Sequence, residues 1–362
     1  MSPDPLAQDP QEPLQQVGAL LYLDSELNPP DHERGGKHWR LAGSCALLAP
    51  DKILTIGHIL GERGATPDYI SGHYAVFFPY EGLFRIDSGT DWEDQTPGDN
   101  LALARLGNSL RFCSPLPYLK IRSSDKYSGK VSVCGYGSWR GLRTDSPNQG
   151  LQQRPEVSLG PPPRAVRQAL SIEGWNHYDN IDLSWSSHDS GGLIAGAGNS
   201  GGPMLWRTDG VLSVVGISRE VLSDQQAGSW IGWDRLRWLQ NKIPAPAPGF
   251  TQPLARTWRL LKIQVDEGML IPLEVPPGTT RVKITLNANP GMRLQMGIVP
   301  APAPANLLSQ LAMDDQASGQ FLSREIESGP GAQEITVGVC KVTRAPLRQE
   351  EVFTQLCVLF LA

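Results

Sequence analysis

The sequence predicts an all-β fold, and three observations carry that reading. Short apolar or alternating runs recur along most of the chain: GALLYL (18–23), CALLAP (45–50), KILTIGHIL (52–60), YAVFFPY (74–80), LALARL (101–106), KVSVCGYGSW (130–139), PMLW (203–206) and LSVVGIS (212–218). Gly, Pro, Asn and Asp separate them, and the 38 glycines and 31 prolines favour turns between strands over long helices. Clear helical spacing appears late, in WDRLRWLQNKI (233–243), where the apolar positions Leu236, Trp238 and Leu239 have helical spacing and Pro244 stops the helix.

Taken in order, these runs describe a strand-rich domain of barrel or sandwich type over 16–244, behind a polar, disordered lead at 1–15. A shorter helix is expected at Pro163–Leu170, inside a long loop. The stretch PAPAPGFTQP (244–253) reads as a semi-rigid linker, which sets a linker segment at 245–255. Beyond it a β pattern restarts over 256–362: RLLKIQV, MLIPLEV, RVKITLNA, RLQMGIV, EITVGVC and FTQLCVLFL. PPGTT (276–280) and NPGM (289–292) mark turns between these runs, and an independent small β-sandwich is expected there. A chain of 362 residues is long enough for two such domains.

Composition narrows the function classes. The formal charge of −5 is spread without a basic stripe, which argues against nucleic acid as a partner. No run approaches the roughly 18 apolar residues of a membrane helix, so no membrane partner is expected. The opening MSPDPLAQDPQEPLQQ lacks the basic start and apolar core of a secretory signal, and the expectation is a cytoplasmic protein. Five cysteines, Cys45, Cys113, Cys134, Cys340 and Cys357, are widely spaced and form no CxxC pair. They read as buried free thiols in a reducing compartment, with neither a metal site nor a cofactor expected. His32, His38, His73, His177 and His188 are scattered without HxxxH spacing and read as surface or loop residues. Asn180, Asp182 and Asp189 read as a polar loop before a cation site.

Three segments carry chemistry together. GSCALLAPDKILTIGH ends on His58, GDNLALARL contains Asp99 and Asn100, and GAGNSGGPML contains Ser200. A serine hydroxyl becomes a useful nucleophile when a base takes its proton. Histidine does this near neutral pH because its ordinary pKa is about 6.5. The glycines around Ser200 permit a sharp turn that aims the N–H groups of Gly198 and Ser200 at one point. Such a pair forms an oxyanion hole, in which one donor contributes roughly 3–4 kcal/mol.

These segments resemble the signature segments of the trypsin-like serine peptidases: a strand, an Ala-Pro-Asp turn and Leu-Thr-x-x-His, then Gly-x-Ser-Gly-Gly-Pro. The closing helix at 233–243 resembles the C-terminal helix of that family, and the likeness covers roughly residues 16–245. It implies a chymotrypsin-like double β-barrel, His58 as base, Ser200 as nucleophile, and a protein or peptide substrate. It also implies a specificity pocket built by Ile194 and Ala195, six and five residues before the nucleophile, and by Ser218 and Arg219. With Ile194 at its base the pocket is apolar, against a preference for Lys or Arg; Arg219 reads as a solvated surface residue before a reader of acidic side chains.

The sequence departs from the family pattern in several places. The family's acid precedes an apolar-small-apolar run, and the ungapped match sets Asn100 at that position, with Asp99 one residue early. Neighbouring side chains of an extended segment point to opposite sides. Three accounts stay open: a bulge turns Asp99 inward, Asn100 is the native orienter of His58, or Asn100 is an introduced inactivating change. In a well-studied serine protease, Asp-to-Asn at this position lowers turnover roughly 10⁴-fold. Asn199 stands where the family's zymogens carry the Asp that pairs with a new N-terminus, and QVGALL lacks their cleavage motif. The segment is closer to the GNSG pattern of bacterial and intracellular members. Ile59 follows His58, so the disulfide that often flanks the histidine is missing. The expectation is therefore a bacterial serine endopeptidase of restricted specificity, whose residues 256–362 recruit a substrate or a regulatory protein partner. The alternative is a pseudoprotease that kept the fold and serves as a binding or scaffold module.

Overall fold

A computed structural model describes residues 14–24, 38–61, 66–92, 101–118, 130–136, 139–140, 166–167, 182–186, 194–195, 198–208, 211–222, 225–243, 250–264, 268–288, 294–313, 321–329, 331, 333–341 and 351–362. The chain divides into two compact units, one of Met1–Phe78 with Phe84–Phe250, the other of Pro79–Leu83 with Thr251–Ala362.

In the first unit six strands close into a barrel: β1 (Val17–Asp24), β2 (His38–Ala49), β3 (Lys52–Ile56), β4 (Tyr74–Phe78), β5 (Gly82–Trp92) and β6 (Leu101–Leu106), in the order β1-β2-β3-β6-β5-β4. The strands form where Val, Ile, Leu and Phe recur, and closure removes the edges that an open sheet would leave unpaired. The pairing of β3 with β6 is regular, from Lys52 opposite Arg105 to Ile56 opposite Leu101. Leu20, Leu21, Leu47, Ile53, Leu54, Ile56, Phe77 and Leu101 are buried and fill the core.

Two short helices follow β3. The first, α1 (Gly57–Gly61), buries Ile59 and Leu60, and the Tyr74 hydroxyl donates to the carbonyl of Ile59 at 2.8 Å. The second, α2 (Pro67–His73), starts with Pro67 in its first turn and with Thr66 as its cap, whose hydroxyl accepts from Tyr69 N at 3.2 Å.

A second sheet of the first unit is six-stranded. Its members are β7 (Lys130–Val133), β9 (Val166–Arg167), β10 (Asp182–Ser186), β12 (Pro203–Thr208), β13 (Val211–Leu222) and β14 (Gln225–Trp230), ordered β10-β14-β13-β12-β7-β9. A separate two-stranded ribbon joins β8 (Trp139–Arg140) to β11 (Ile194–Ala195). β2 and β3 of the barrel approach β12 and β13 of the second sheet. The helix expected at Pro163–Leu170 is not formed at Val166–Arg167, which pairs with Val131–Lys130 instead. A two-residue strand is within reach of a neighbouring edge, and β-branched Val166 suits it better than a short helix without packing.

The helix expected at 233–243 is α3 (Trp233–Lys242), with Leu239 fully buried. Its last turn is tied to the barrel. Lys52 Nζ donates to the carbonyl of Lys242, and Lys242 Nζ meets Asp91 Oδ1 at 2.6 Å. Cations at this end also suit the helix dipole.

The second unit holds two antiparallel sheets. The four-stranded one runs β15 (Ala255–Gln264), β21 (Glu351–Leu361), β17 (Arg281–Ala288), β19 (Phe321–Glu327). The three-stranded one runs β16 (Gly268–Glu274), β20 (Glu334–Lys341), β18 (Leu294–Pro300). Ile263, Val282, Ile284, Val358 and Phe360 from the first sheet share one apolar core with Ile271, Leu273, Leu294, Met296, Val337 and Val339 from the second. The turn read at PPGTT is present: Gly278 has φ +84°, and Thr279 N donates to the carbonyl of Pro276 at 3.2 Å. The turn read at 289–292 lies outside the described residues.

Helix α4 (Leu307–Met313) and strand β19 were not expected from the sequence pattern. α4 rests on glycines. A β-carbon at Gly268 would lie 2.6 Å from Leu308, at Gly297 2.8 Å from Leu311, and at Gly338 3.0 Å from Leu311. Gly297 and Gly338 face each other across β18 and β20, so the sheet offers a flat place for leucine side chains. Among the described residues no helix is long and apolar enough to cross a membrane.

Candidate active site

The segment after β11 turns sharply through Gly198–Gly202 before entering β12. Two glycines there have left-handed backbone angles, Gly198 at φ +90° and Gly201 at φ +83°. The turn is held by backbone hydrogen bonds from three directions. Ser44 N on β2 donates to the carbonyl of Ser200 at 2.8 Å, Gly201 N donates to the carbonyl of Ser218 on β13 at 2.7 Å, and Gly202 N donates to the carbonyl of Asn199 at 2.9 Å. Ser218 N returns a bond to the carbonyl of Gly202 at 2.8 Å.

Peptide units are planar and trans, so a carbonyl and the N–H that follows it point to opposite sides. The bond from Gly202 to the carbonyl of Asn199 therefore sets the direction of the Ser200 N–H. The Ser200–Gly201 peptide is stretched between β2 and β13, its carbonyl toward Ser44 and its N–H toward Ser218. The Gly198 N–H belongs to a peptide that starts at Ala197, outside the described residues.

The His58 segment is packed against this turn. His58 is the second residue of α1 and is half-buried; Ser200 is half-buried as well. The residues on either side of His58 make the contact. A β-carbon at Gly201 would run into Thr55 Oγ1 and lie 3.2 Å from Ile59 Cδ1. A β-carbon at Gly43 would run into Ile59 Cδ1 and lie 2.7 Å from the carbonyl oxygen of Ser200. Thr55 Oγ1 also donates to the carbonyl of Ser44 at 2.9 Å. The histidine turn and the serine turn are thus one packed assembly at the end of β3.

The acid-or-amide segment enters from β6. Asp99 and Asn100 lie outside the described residues, but Leu101 opens β6 directly opposite Ile56, two residues before His58. α1 also lies against β6. The His58 segment and the Ser200 turn therefore lie together at the end of the closed barrel where β6 begins.

The other expected residues fall as follows. Ser218 is buried and pairs with the Ser200 turn through its backbone. Arg219 is half-buried at an irregularity of the β13–β14 pairing, between Ser218 and Glu220. Ile194 and Ala195 form β11 opposite Arg140 and Trp139, and no described bond links them to the serine turn. Asn199 is buried with its side chain against the backbone of Gly135. Of the scattered histidines, His73 closes α2, with Nδ1 2.9 Å from the carbonyl of Tyr69 and its ring stacked on that of Tyr69 at 4.1 Å. Among the described residues no group of His, Cys, Asp or Glu is arranged to hold a metal ion.

The sequence reading passed over Gly43, Ser44 and Gly135, which the geometry puts around Ser200. Their only sequence trace is the Gly-Ser pair at the start of GSCALLAP and the Gly-Tyr-Gly of KVSVCGYGSW, neither of which is a motif by itself. No protein-family model matches the chain, and no curated protein matches it in sequence.

Proposed function

We propose that the chain is a serine endopeptidase of the trypsin-like type. One observation carries the reading: the Gly-rich turn bearing Ser200 is hydrogen-bonded to β2 and packed on Thr55 and Ile59, the residues that bracket His58. Chemistry needs a nucleophile, a base and an oxyanion donor within one small volume, and this packing supplies the neighbourhood.

In the proposed mechanism His58 takes the proton of Ser200 Oγ as the hydroxyl attacks the scissile carbonyl. The Ser200 and Gly198 N–H groups hold the oxyanion. His58 then protonates the leaving amine, and water enters by the same route in reverse to release the acyl group from Ser200. Asp99 or Asn100 orients the imidazole from the start of β6. Ile194, Ala195, Ser218 and Arg219 line the pocket for the residue before the cleaved bond. In this reading the second sheet of the first unit belongs to a second barrel, and the second unit is a β-sandwich that recruits a protein substrate or regulator. Five free, buried cysteines favour a reducing compartment.

A rival reading, a binding module without chemistry, rests on Asn100 at the family's acid position. Incubation with a fluorophosphonate probe separates the two. Covalent labelling that disappears in Ser200→Ala supports the peptidase; an unlabelled but folded parent supports the binding module.

A further inference from the structure

We infer that Ser44 is a positioning residue for the nucleophile, acting through two atoms, its N–H and its Oγ, on both sides of Asn199. The inference rests on the peptidase reading of Ser200. Ser44 sits on β2, is fully buried, and makes four hydrogen bonds. Its N–H donates to the carbonyl of Ser200 at 2.8 Å, and its Oγ donates to the carbonyl of Gly198 at 2.8 Å. The same Oγ accepts from Tyr136 N at 2.9 Å, while its own carbonyl accepts from Thr55 Oγ1 at 2.9 Å.

The arrangement ties two peptide planes of the serine turn to one rigid strand. The bond to Gly198 fixes the Gly198–Asn199 plane, and the bond to Ser200 fixes the Ser200–Gly201 plane. Between them lies the Asn199–Ser200 unit, whose N–H is the proposed oxyanion donor. The fourth bond carries the constraint to Thr55, three residues before His58, so one residue spans the base segment and the nucleophile turn. Tyr136 N supplies the donor that orients the hydroxyl: with one lone pair taken by Tyr136, the O–H is free to point at Gly198.

A side chain that only filled space would not need its hydroxyl. Here removing Oγ takes its acceptor from the buried Tyr136 N–H and its donor from the half-buried carbonyl of Gly198, and the turn must move to compensate. Displacements of about 1 Å in such a turn cost about 10²-fold in rate.

The test uses the full chain with Ser44→Ala and Ser44→Thr, the latter restoring a hydroxyl. The readouts are the rate of fluorophosphonate labelling, the split between kcat and KM on a peptide substrate, and amide hydrogen exchange at Tyr136. The expected result is labelling and kcat lowered roughly 10- to 100-fold in Ser44→Ala with KM within about threefold, faster exchange at Tyr136, and recovery of most of the rate in Ser44→Thr. Parental labelling with unchanged Tyr136 exchange in Ser44→Ala overturns the inference. Equal slowing in Ser44→Ala and Ser44→Thr marks a packing role and also overturns it. Should Ser44→Ala fail to fold, Ser44→Cys, which keeps the size with a weaker donor, takes its place under the same criteria. If the parent itself is not labelled, the peptidase reading fails, and Tyr136 exchange in the variants decides the anchoring role alone: faster exchange upholds it, unchanged exchange overturns it.

Discussion

Gly201 lies directly against Thr55: a β-carbon on the glycine would run into Thr55 Oγ1, and the glycine holds φ at +83°. Two independent costs therefore fall on any side chain there, one from the left-handed backbone and one from the collision. Gly201→Ala is expected to lose about 3 kcal/mol or more of stability, each cost being of order 1–3 kcal/mol. It is also expected to abolish labelling of Ser200, because the collision partner is on the histidine segment. Gly72→Ala is the control: nothing lies within 4 Å of a β-carbon there, and stability should stay level or rise slightly. Urea unfolding of the two variants beside the parent makes the comparison, and a Gly201→Ala protein with parental stability and labelling would refute the close approach.

Cys45 gives the barrel a pH dependence with a definite sign. Burial pushes its thiol pKa far above the ordinary value, since the thiolate would have to form in the apolar core. In the unfolded chain the thiol ionises near pH 8.5. The folded pKa is raised, so the stabilising contribution is complete below about pH 8.5 and is lost as the pH climbs beyond it, at up to about 1.4 kcal/mol per unit. Unfolding midpoints at pH 7 and pH 10 should fall further in the parent than in Cys45→Ala. Equal falls in the two proteins would remove Cys45 as the cause.

Five of the six barrel strands were legible because their side chains need only be apolar and correctly spaced; β5, GLFRIDSGTDW, lay outside the expected runs. LALARL is β6 to the residue, and PMLW and LSVVGIS lie within β12 and β13. β19 and α4 escaped for a physical reason. β19 reads FLSREIE: Ser323, Glu325 and Glu327 are exposed and Arg324 interrupts the half-buried face between Leu322 and Ile326, so neither face is a continuous apolar row. α4 has only seven residues and owes its place to glycines on three other strands, a relation that no local pattern contains. The same holds for the site. The His58 and Ser200 segments stand out in the sequence because each is a compact motif, GSCALLAPDKILTIGH and GAGNSGGPML. Ser44 did not, because its importance lies in hydrogen bonds to residues far along the chain.

The glycine bed under α4 can be tested through a thiol. Cys340 is buried beside Leu307 and Leu311, and burial raises its pKa. Gly297→Val would push branched methyl groups into Leu311 and is expected to cost about 1–3 kcal/mol. α4 should lift locally, so that Cys340 reacts with a thiol reagent much faster than in the parent while Cys45 stays protected. Unchanged reactivity at Cys340, or simultaneous exposure of Cys45, would mean that α4 does not respond as an independent cover.

The last prediction concerns the step between Asp99 and Asn100. In the regular β3–β6 register Leu101 stands opposite Ile56, two residues before His58, while Asp99 and Asn100 lie outside the described residues. Adjacent residues of an extended chain present opposite faces, so only one of the two can orient the imidazole. A carboxylate there stabilises the imidazolium that forms during attack and holds the productive tautomer, whereas an amide does neither as well. If Asn100 is the orienting residue, Asn100→Asp should raise kcat by at least about 10-fold, within a ceiling near 10⁴-fold, and Asp99→Asn should change little. If Asp99 is the orienting residue, the pattern reverses: Asp99→Asn loses most of the activity and Asn100→Asp gains nothing. The paired variants, assayed by probe labelling and by hydrolysis of one peptide substrate, decide between the two, and inactivity of Asn100→Asp together with the parent would favour the binding module.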